Sequence, residues 1–264
     1  MTAASNENFW PSDECAKAFW DQHHARPYQQ LLRDTIAKAD PQPGERWLDL
    51  GCGAGHLSKA LWEKSNGQVG QIVASDCASI NAKKIEELRA RLSPVPSAEQ
   101  LTFVEANFSS GLPQFETNSF DGVVAGLTLS YAESFDEATG KFTDTGYQNV
   151  LSEIYRILRP GGQLVFSVNV PNPSWGWVFL MSLGGGLRLS KPGKVLMNAI
   201  RMMKYGNWLK REARRGRFHY LPLEQVKSKL QKAGFSAAEG TLSYVRQAYV
   251  ITAEKRAIAL ARVA

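Results

Sequence analysis

Two acids and three glycines carry the most specific chemical signal in this chain. Asp49 stands two residues before Gly51, and Gly51, Gly53 and Gly55 take every second position of D-L-G-C-G-A-G. Glycines so spaced let the backbone approach a ligand and adopt positive φ without a Cβ penalty. A helix starting where the loop ends offers unpaired N–H donors to a carboxylate or phosphate. Asp76 comes 21 residues beyond Gly55, at the end of a second apolar run. A carboxylate there can accept from both hydroxyls of a ribose. Groups for proton transfer are sparser: His23, His24, His219 and Tyr131. Adjacent His23 and His24 diverge by about 100° on a helix, so at most one can face a pocket. Imidazole titrates near neutrality, which makes His23 and His219 the candidate bases and Tyr131 a candidate acceptor-binding group. Cys15, Cys52 and Cys77 are scattered and form no C-x-x-C pair, which argues against structural zinc and against a disulfide framework.

The elements that must position these groups follow from periodicity. Arg46–Leu50 has strand length, and from His56 the apolar spacing becomes helical with Leu57, Ala60 and Leu61 on one face. Strand, glycine turn and helix in succession form a small-molecule cradle at the carboxyl end of a parallel strand. Further strands are expected from Gln71 to Asp76, Leu101 to Glu105, Ser119 to Gly126 and Gln163 to Asn169. An amphipathic helix is expected over 147–160, turned by Pro160-Gly161-Gly162 into the fifth strand. A helix over 223–233 and strands over 237–244 and 247–253 complete the pattern. The first 40 residues read as helical, with Tyr28, Leu31, Leu32, Thr35 and Ile36 on one stripe.

With D-L-G-C-G-A-G, the acid at 76 and L-R-P-G-G-Q-L at 158–164 in place, the chain resembles class I S-adenosylmethionine (SAM)-dependent methyltransferases of the small-molecule, UbiE-like type. A dinucleotide fingerprint would need its third glycine where His56 stands. The resemblance implies an α/β fold: a Rossmann-like, mostly parallel seven-stranded sheet, last strand antiparallel, helices on both faces. It implies SAM as cofactor, S-adenosylhomocysteine as product, and no metal. It further implies that Asp49 orders the glycine loop and meets the methionine amino group, that Asp76 holds the ribose, and that Cys52 and Cys77 line the site. Asn107 and Phe108 would then flank adenine, with Ala125 and Tyr28 completing the cofactor pocket. Asn107 departs from the family's commoner Asp. Ser130 stands where many quinone- and sterol-type relatives have His, and the N-P-P-Y type motif of amino-methyltransferases is absent.

A length of 264 residues with 44% hydrophobic content suits one sizeable domain. It divides into a helical cap (1–43), a cofactor-binding core (44–170), an insertion (171–220) and a C-terminal helix with strands (221–264). The net charge of +6 is concentrated: residues 171–220 hold ten Lys or Arg against one acid, Glu212, so the rest is net acidic. This insertion mixes aromatics and methionines with that charge, which suits a lid over a small apolar, aromatic or lipid-like acceptor. It also suits peripheral contact with an anionic membrane surface. Nucleic acid is disfavoured, since no RNA-binding module accompanies the charge. The start lacks a secretory signal and the longest apolar run is too short to span a bilayer, so a cytoplasmic protein is expected. Two other readings stay open: an RNA- or protein-directed methyltransferase docking through 171–220, and a SAM-binding protein without turnover.

Overall fold

Short apolar runs between glycine and proline breaks become strands, and amphipathic stretches between them become helices. The structure is a computed structural model that describes residues 10, 12–20, 24–183 and 205–257. In chain order it contains α1 (Asp13–Phe19), α2 (Arg26–Ala39), β1 (Arg46–Leu50), α3 (His56–Lys64), β2 (Gln71–Asp76), α4 (Asn81–Arg89) and β3 (Leu101–Glu105). Then come β4 (Phe120–Gly126), β5 (Phe135–Asp136), β6 (Lys141–Phe142), α5 (Thr145–Ile157), β7 (Leu158–Asn169) and α6 (Trp175–Leu183). A helix over 205–214, here α7, is followed by α8 (Leu223–Lys232), β8 (Ser236–Ser243) and β9 (Ala248–Glu254).

Seven strands make one sheet in the order β3-β2-β1-β4-β7-β9-β8. All neighbouring pairs from β3 to β7 are parallel, while β9 runs antiparallel to both β7 and β8. This is the mostly parallel sheet with an antiparallel last strand that the family resemblance implies. Because strand side chains alternate, the two faces have separate cores. Leu48, Val123, Leu164 and Phe166 pack with Val150, Leu151, Ile154 and Ile157 of α5 on one side. Trp47, Ile72, Val124 and Val165 pack with Leu31 of α2 and Leu57, Leu61 and Trp62 of α3 on the other. Trp47 pairs in register with Gly122, and any Cβ at that glycine would overlap the indole.

Helix α5 ends at Ile157 rather than reaching Pro160. The residue before proline is driven out of the α region, and the chain is already extended at Leu158, with ψ 141°. The Pro160-Gly161-Gly162 turn is thereby absorbed into β7 as an irregularity of register opposite Phe120 and Gly122. Among the described residues of the N-terminal helical region lie two helices, α1 and α2. The short β5–β6 hairpin, closed through Gly140 at φ 66°, carries no alternation long enough to be read from sequence. The carboxyl ends of β1, β2, β3, β4 and β7 all open onto one edge, and the candidate site lies there.

Candidate functional site

After β1 the backbone passes Gly51, Gly53 and Gly55 at φ +74°, +51° and +78°. Close packing demands two of them: a Cβ on Gly51 would meet Thr128 Cγ2 at 2.5 Å, and one on Gly55 would meet Ile85 Cδ1 at 2.7 Å. Gly53 is different, with nothing within 4 Å of its Cβ position. That position opens onto space. Asp49 is 1% exposed, and its Oδ2 accepts from the Ser58 N–H (2.9 Å) and Ser58 Oγ–H (2.7 Å), tying the strand end to α3. Its other oxygen, Oδ1, is buried without a partner. Burial outweighs the Ser58 bonds and pushes the Asp49 pKa up to about 7. Asp76 accepts from the Gly53 N–H through Oδ2 and the Ala78 N–H through Oδ1, both at 2.9 Å, so it fixes the tip of the loop. Burial raises its pKa against those bonds. Tyr28 meets His56 edge-on at 6.1 Å, and burial together with the nearby Asp49 raises its phenol pKa. Trp20 reaches over from the end of α1: its indole N–H donates to Asn81 Oδ1 at 2.8 Å, and Lys84 Nζ lies 4.6 Å from its ring. His56 Nε2 is 3.1 Å from the Trp20 carbonyl, which can only accept.

A second cluster lies at the ends of β4 and β7. Leu127 adopts φ 57°, a left-handed conformation a leucine rarely takes, held by its N–H donating to Ser167 O (3.1 Å) and Oγ (3.0 Å). The next turn carries Tyr131, whose hydroxyl is 3.0 Å from that of Tyr220. Asn169, 1% exposed, donates from Nδ2 to the Tyr131 hydroxyl at 3.4 Å, while its Oδ1 is buried and unpartnered. Aromatic rings surround these polar tips: Trp10 lies 4.4 Å and Phe218 5.0 Å from Tyr131, and Trp208 lies 5.6 Å from Phe218. Arg217 anchors this segment by donating to Glu133 Oε2 at 2.9 Å, with Glu212 3.8 Å away; all three side chains are under 10% exposed. Since neighbours on an extended segment alternate, His219 points away from Phe218 and Tyr220. It stacks on Tyr147 at 5.1 Å and donates from Nε2 to Ala132 O at 3.0 Å. Burial lowers its pKa, so it stays neutral.

The profile of the family described as "Methyltransferase domain" matches residues 48–166, which contain the glycine loop, Asp76 and the β4 and β7 strands. Residues 48–166 thus carry the match to the methyltransferase domain, in line with the class I SAM-dependent type. Among relatives, the demethylmenaquinone methyltransferase of Oceanobacillus iheyensis is 33% identical over 142 residues, covering 52% of this chain and 50% of that protein. The ubiquinone/menaquinone biosynthesis C-methyltransferase UbiE of Legionella pneumophila is 33% identical over 133 residues, covering 50% of this chain and 46% of that protein. The chain thus spans about half the length of the curated relatives it matches. In fold it is similar to the SAM complex of Haemonchus contortus phosphoethanolamine N-methyltransferase 2. That comparison gives TM-score 0.54 and 17% identity, covering 88% of this chain and 43% of that one. It is also similar to a Methanococcus maripaludis protein provisionally classed as a SAM-dependent methyltransferase, with TM-score 0.60 and 17% identity, covering 96% and 98% of the two chains.

SAM is the cofactor that family implies, and the residues of this chain fit it. The unpartnered, buried Asp49 Oδ1 suits an ammonium group, and the space at Gly53 suits a ligand lying along the loop. Asp76 sits at the end of β2 where a ribose would come, its carboxylate held by the Gly53 and Ala78 N–H groups together with the Asn81 side chain and the Cys77 backbone. Cys52 is buried with its thiol pKa pushed up by burial, and Cys77 is half-buried. Asn107 Oδ1 accepts from the Ser109 N–H at 3.1 Å, capping the short turn Phe108–Ser110. Phe108 packs partly against the core, and Ala125 is fully buried on the α5 face of β4. Tyr28 and Asp49 come together; Tyr131 joins Tyr220; His219 turns to the far side of its segment; His23 lies outside the described residues. Thr128, Asn169 and Glu133 are not singled out by the sequence, whereas Tyr220, which closes the insertion beside His219, is a residue expected to face the pocket. Only the Asn at a strand's carboxyl end offered a sequence signal. Among the described residues no group of three or more His, Cys, Asp or Glu could hold a metal.

Proposed function

We propose that this chain transfers a methyl group from SAM to a small aromatic or lipid-like acceptor bound between the glycine loop and the Tyr131–Tyr220–Asn169 cluster. The observation that carries the reading is the pair of buried, unpartnered acceptors, Asp49 Oδ1 and Asn169 Oδ1, on one open edge of the sheet. Buried polar atoms without partners are uncommon and call for an explanation. A cofactor ammonium and an acceptor hydroxyl or amine would satisfy them. SAM supplies the electrophilic methyl group. The chain's own residues bind, orient and keep water out. Asp49, Gly53 and Asp76 hold the donor side. Tyr131, Tyr220 and Asn169 fix the polar end of an acceptor, and Trp10, Trp208 and Phe218 exclude solvent. Positioning two reactants in a dry site supplies much of the acceleration in a displacement of this kind. The relatives named for quinone-precursor methylation support an aromatic, lipid-like acceptor for this chain.

The test incubates the protein with methyl-labelled SAM and an extract of its own host, then partitions the label. Label in the organic phase supports the reading. Label precipitating with RNA or protein replaces it with a macromolecule-directed enzyme. Retained SAM binding without label in any fraction replaces it with a sensor or scaffold.

A further inference from the structure

Helix α6 has an unusual outer face. Its sequence, W-G-W-V-F-L-M-S-L, contains no charge. It is held to the body by Val178, which is 1% exposed, and by Trp175, whose indole lies so close over Gly206 of α7 that no Cβ would fit there. The opposite stripe, at positions i, i+3 and i+4, carries Trp177, Leu180 and Met181, exposed by 43%, 55% and 40%. An isolated exposed leucine needs no explanation, but three large apolar side chains on one short helix do. Beside them, Met181 forms one wall of a cavity of about 470 Å³ whose other lining residues are Arg26, Pro27, Gln29, Gln30 and Arg33 of α2 and Val245 of the β8–β9 turn. Arg26, Gln29, Gln30 and Arg33 recur at helical spacing, so α2 presents them as one polar, doubly cationic face toward the cavity. Arg246 is exposed next to Val245. No acid occurs in α6 or among the cavity's lining residues.

We infer that α6 and the adjoining face of α2 form a docking surface for an anionic lipid bilayer. Trp177, Leu180 and Met181 enter the headgroup–acyl boundary, where tryptophan is favoured and buried apolar area sets the affinity. Arg26, Arg33 and Arg246 then lie at phosphate depth, with the cavity between α2 and Met181 wide enough for a lipid headgroup. No helix of the described residues is long and apolar enough to cross a membrane, so the contact is peripheral. The charge favours lipid over an apolar protein partner, because arginines flanking an apolar stripe complement a surface that is anionic outside and hydrocarbon within. The exposed stripe includes none of the residues placed around the glycine loop and the Tyr131 cluster, although Trp175 on the inner side of α6 packs against that cluster, and the surface stands whether or not the acceptor is a lipid.

Flotation of the full-length protein with vesicles of phosphatidylcholine alone, or of phosphatidylcholine with 30% phosphatidylglycerol, tests this. Binding to the anionic vesicles is expected, weakening in high salt. Trp177→Ser with Leu180→Ser should abolish flotation. Arg26→Gln with Arg33→Gln should weaken it about 30-fold, near fivefold per arginine. SAM binding and the unfolding midpoint should be unchanged in both variants, since all four side chains are exposed. Equal binding to both vesicle types, no binding to either, or anionic binding that survives both double substitutions would each overturn the inference. So would RNA binding lost on removal of the two arginines in a protein that leaves vesicles unbound.

Discussion

Asp49→Asn should move stability and cofactor affinity in opposite directions. The folded pKa of Asp49, about 7, lies above the roughly 3.9 of an unfolded aspartate. The native chain therefore holds the extra proton between about pH 4 and pH 7, so this group's effect on stability declines as pH rises through that window and is flat above it. At pH 8 the buried charge costs the fold an upper value of about 4 kcal/mol. Asparagine keeps an oxygen for the Ser58 N–H and hydroxyl. It makes those two bonds neutral, which takes back about 1–2 kcal/mol. The expected net gain is about 2–3 kcal/mol at pH 8, read from urea unfolding, and it should vanish by pH 5. SAM affinity should fall about 10- to 100-fold in calorimetry, the worth of one charged hydrogen bond to the ammonium. Wild-type affinity should rise from pH 6 to pH 8, and the variant should lose that dependence. A variant that is less stable at pH 8, yet binds SAM like wild type at both pH values, would refute the assignment of Asp49 Oδ1 to the cofactor.

Two neighbouring glycines separate binding from packing. Gly55→Ala must displace Ile85 and Leu88 and strain a left-handed residue, so a loss of about 2–4 kcal/mol in denaturant unfolding is expected. Gly53→Ala should cost about 1 kcal/mol of stability yet weaken SAM binding at least tenfold, because its Cβ would project into space. Asp76→Ala should also weaken SAM at least tenfold by calorimetry; unchanged affinity would remove it from the ribose role. Asn169→Ala and Tyr220→Phe should leave SAM affinity intact and raise the acceptor KM or lower kcat about tenfold, once an acceptor is in hand. Arg217→Ala would strand Glu133 without its buried cation, while Glu212 keeps Arg215 at 3.3 Å, with an expected loss of about 3–5 kcal/mol in thermal or urea unfolding.

What could be read in advance was local. β1, β2 and β3 begin and end where apolar runs meet glycine, proline or a charged turn, and Val150, Leu151, Ile154, Ile157 and Leu158, the inward stripe of the amphipathic stretch 147–160, are all fully buried. Asp49, Gly51, Gly53, Gly55 and Asp76 are separated by short stretches, so one βαβ unit brings them together and spacing suffices to read them. The Tyr131 cluster is another matter. Tyr131, Asn169 and Tyr220 come from three distant segments and share no period, and the Glu133–Arg217 pair that aligns them crosses the insertion. His219 illustrates the difficulty most clearly. Its place in the chain was compatible with either side of an extended segment, and the alternation was decided by Tyr147, a residue 72 positions earlier that stacks on its ring. Helix α6 falls in the insertion expected to form a lid, and its uncharged sequence carries no period that marks Trp177, Leu180 and Met181 as the exposed stripe.

Trp47 lying across Gly122 sets a rule for how sequences of this kind can drift. Neither position can change alone: any side chain at 122 collides with the indole, and a smaller residue at 47 leaves a void between β1 and β4. The permitted route is a paired exchange, with bulk moving from one strand to its neighbour. Homologues that carry alanine or larger at the position of Gly122 should therefore have lost the tryptophan opposite it, and the two columns should covary even though both lie in the sheet's interior, remote from any ligand.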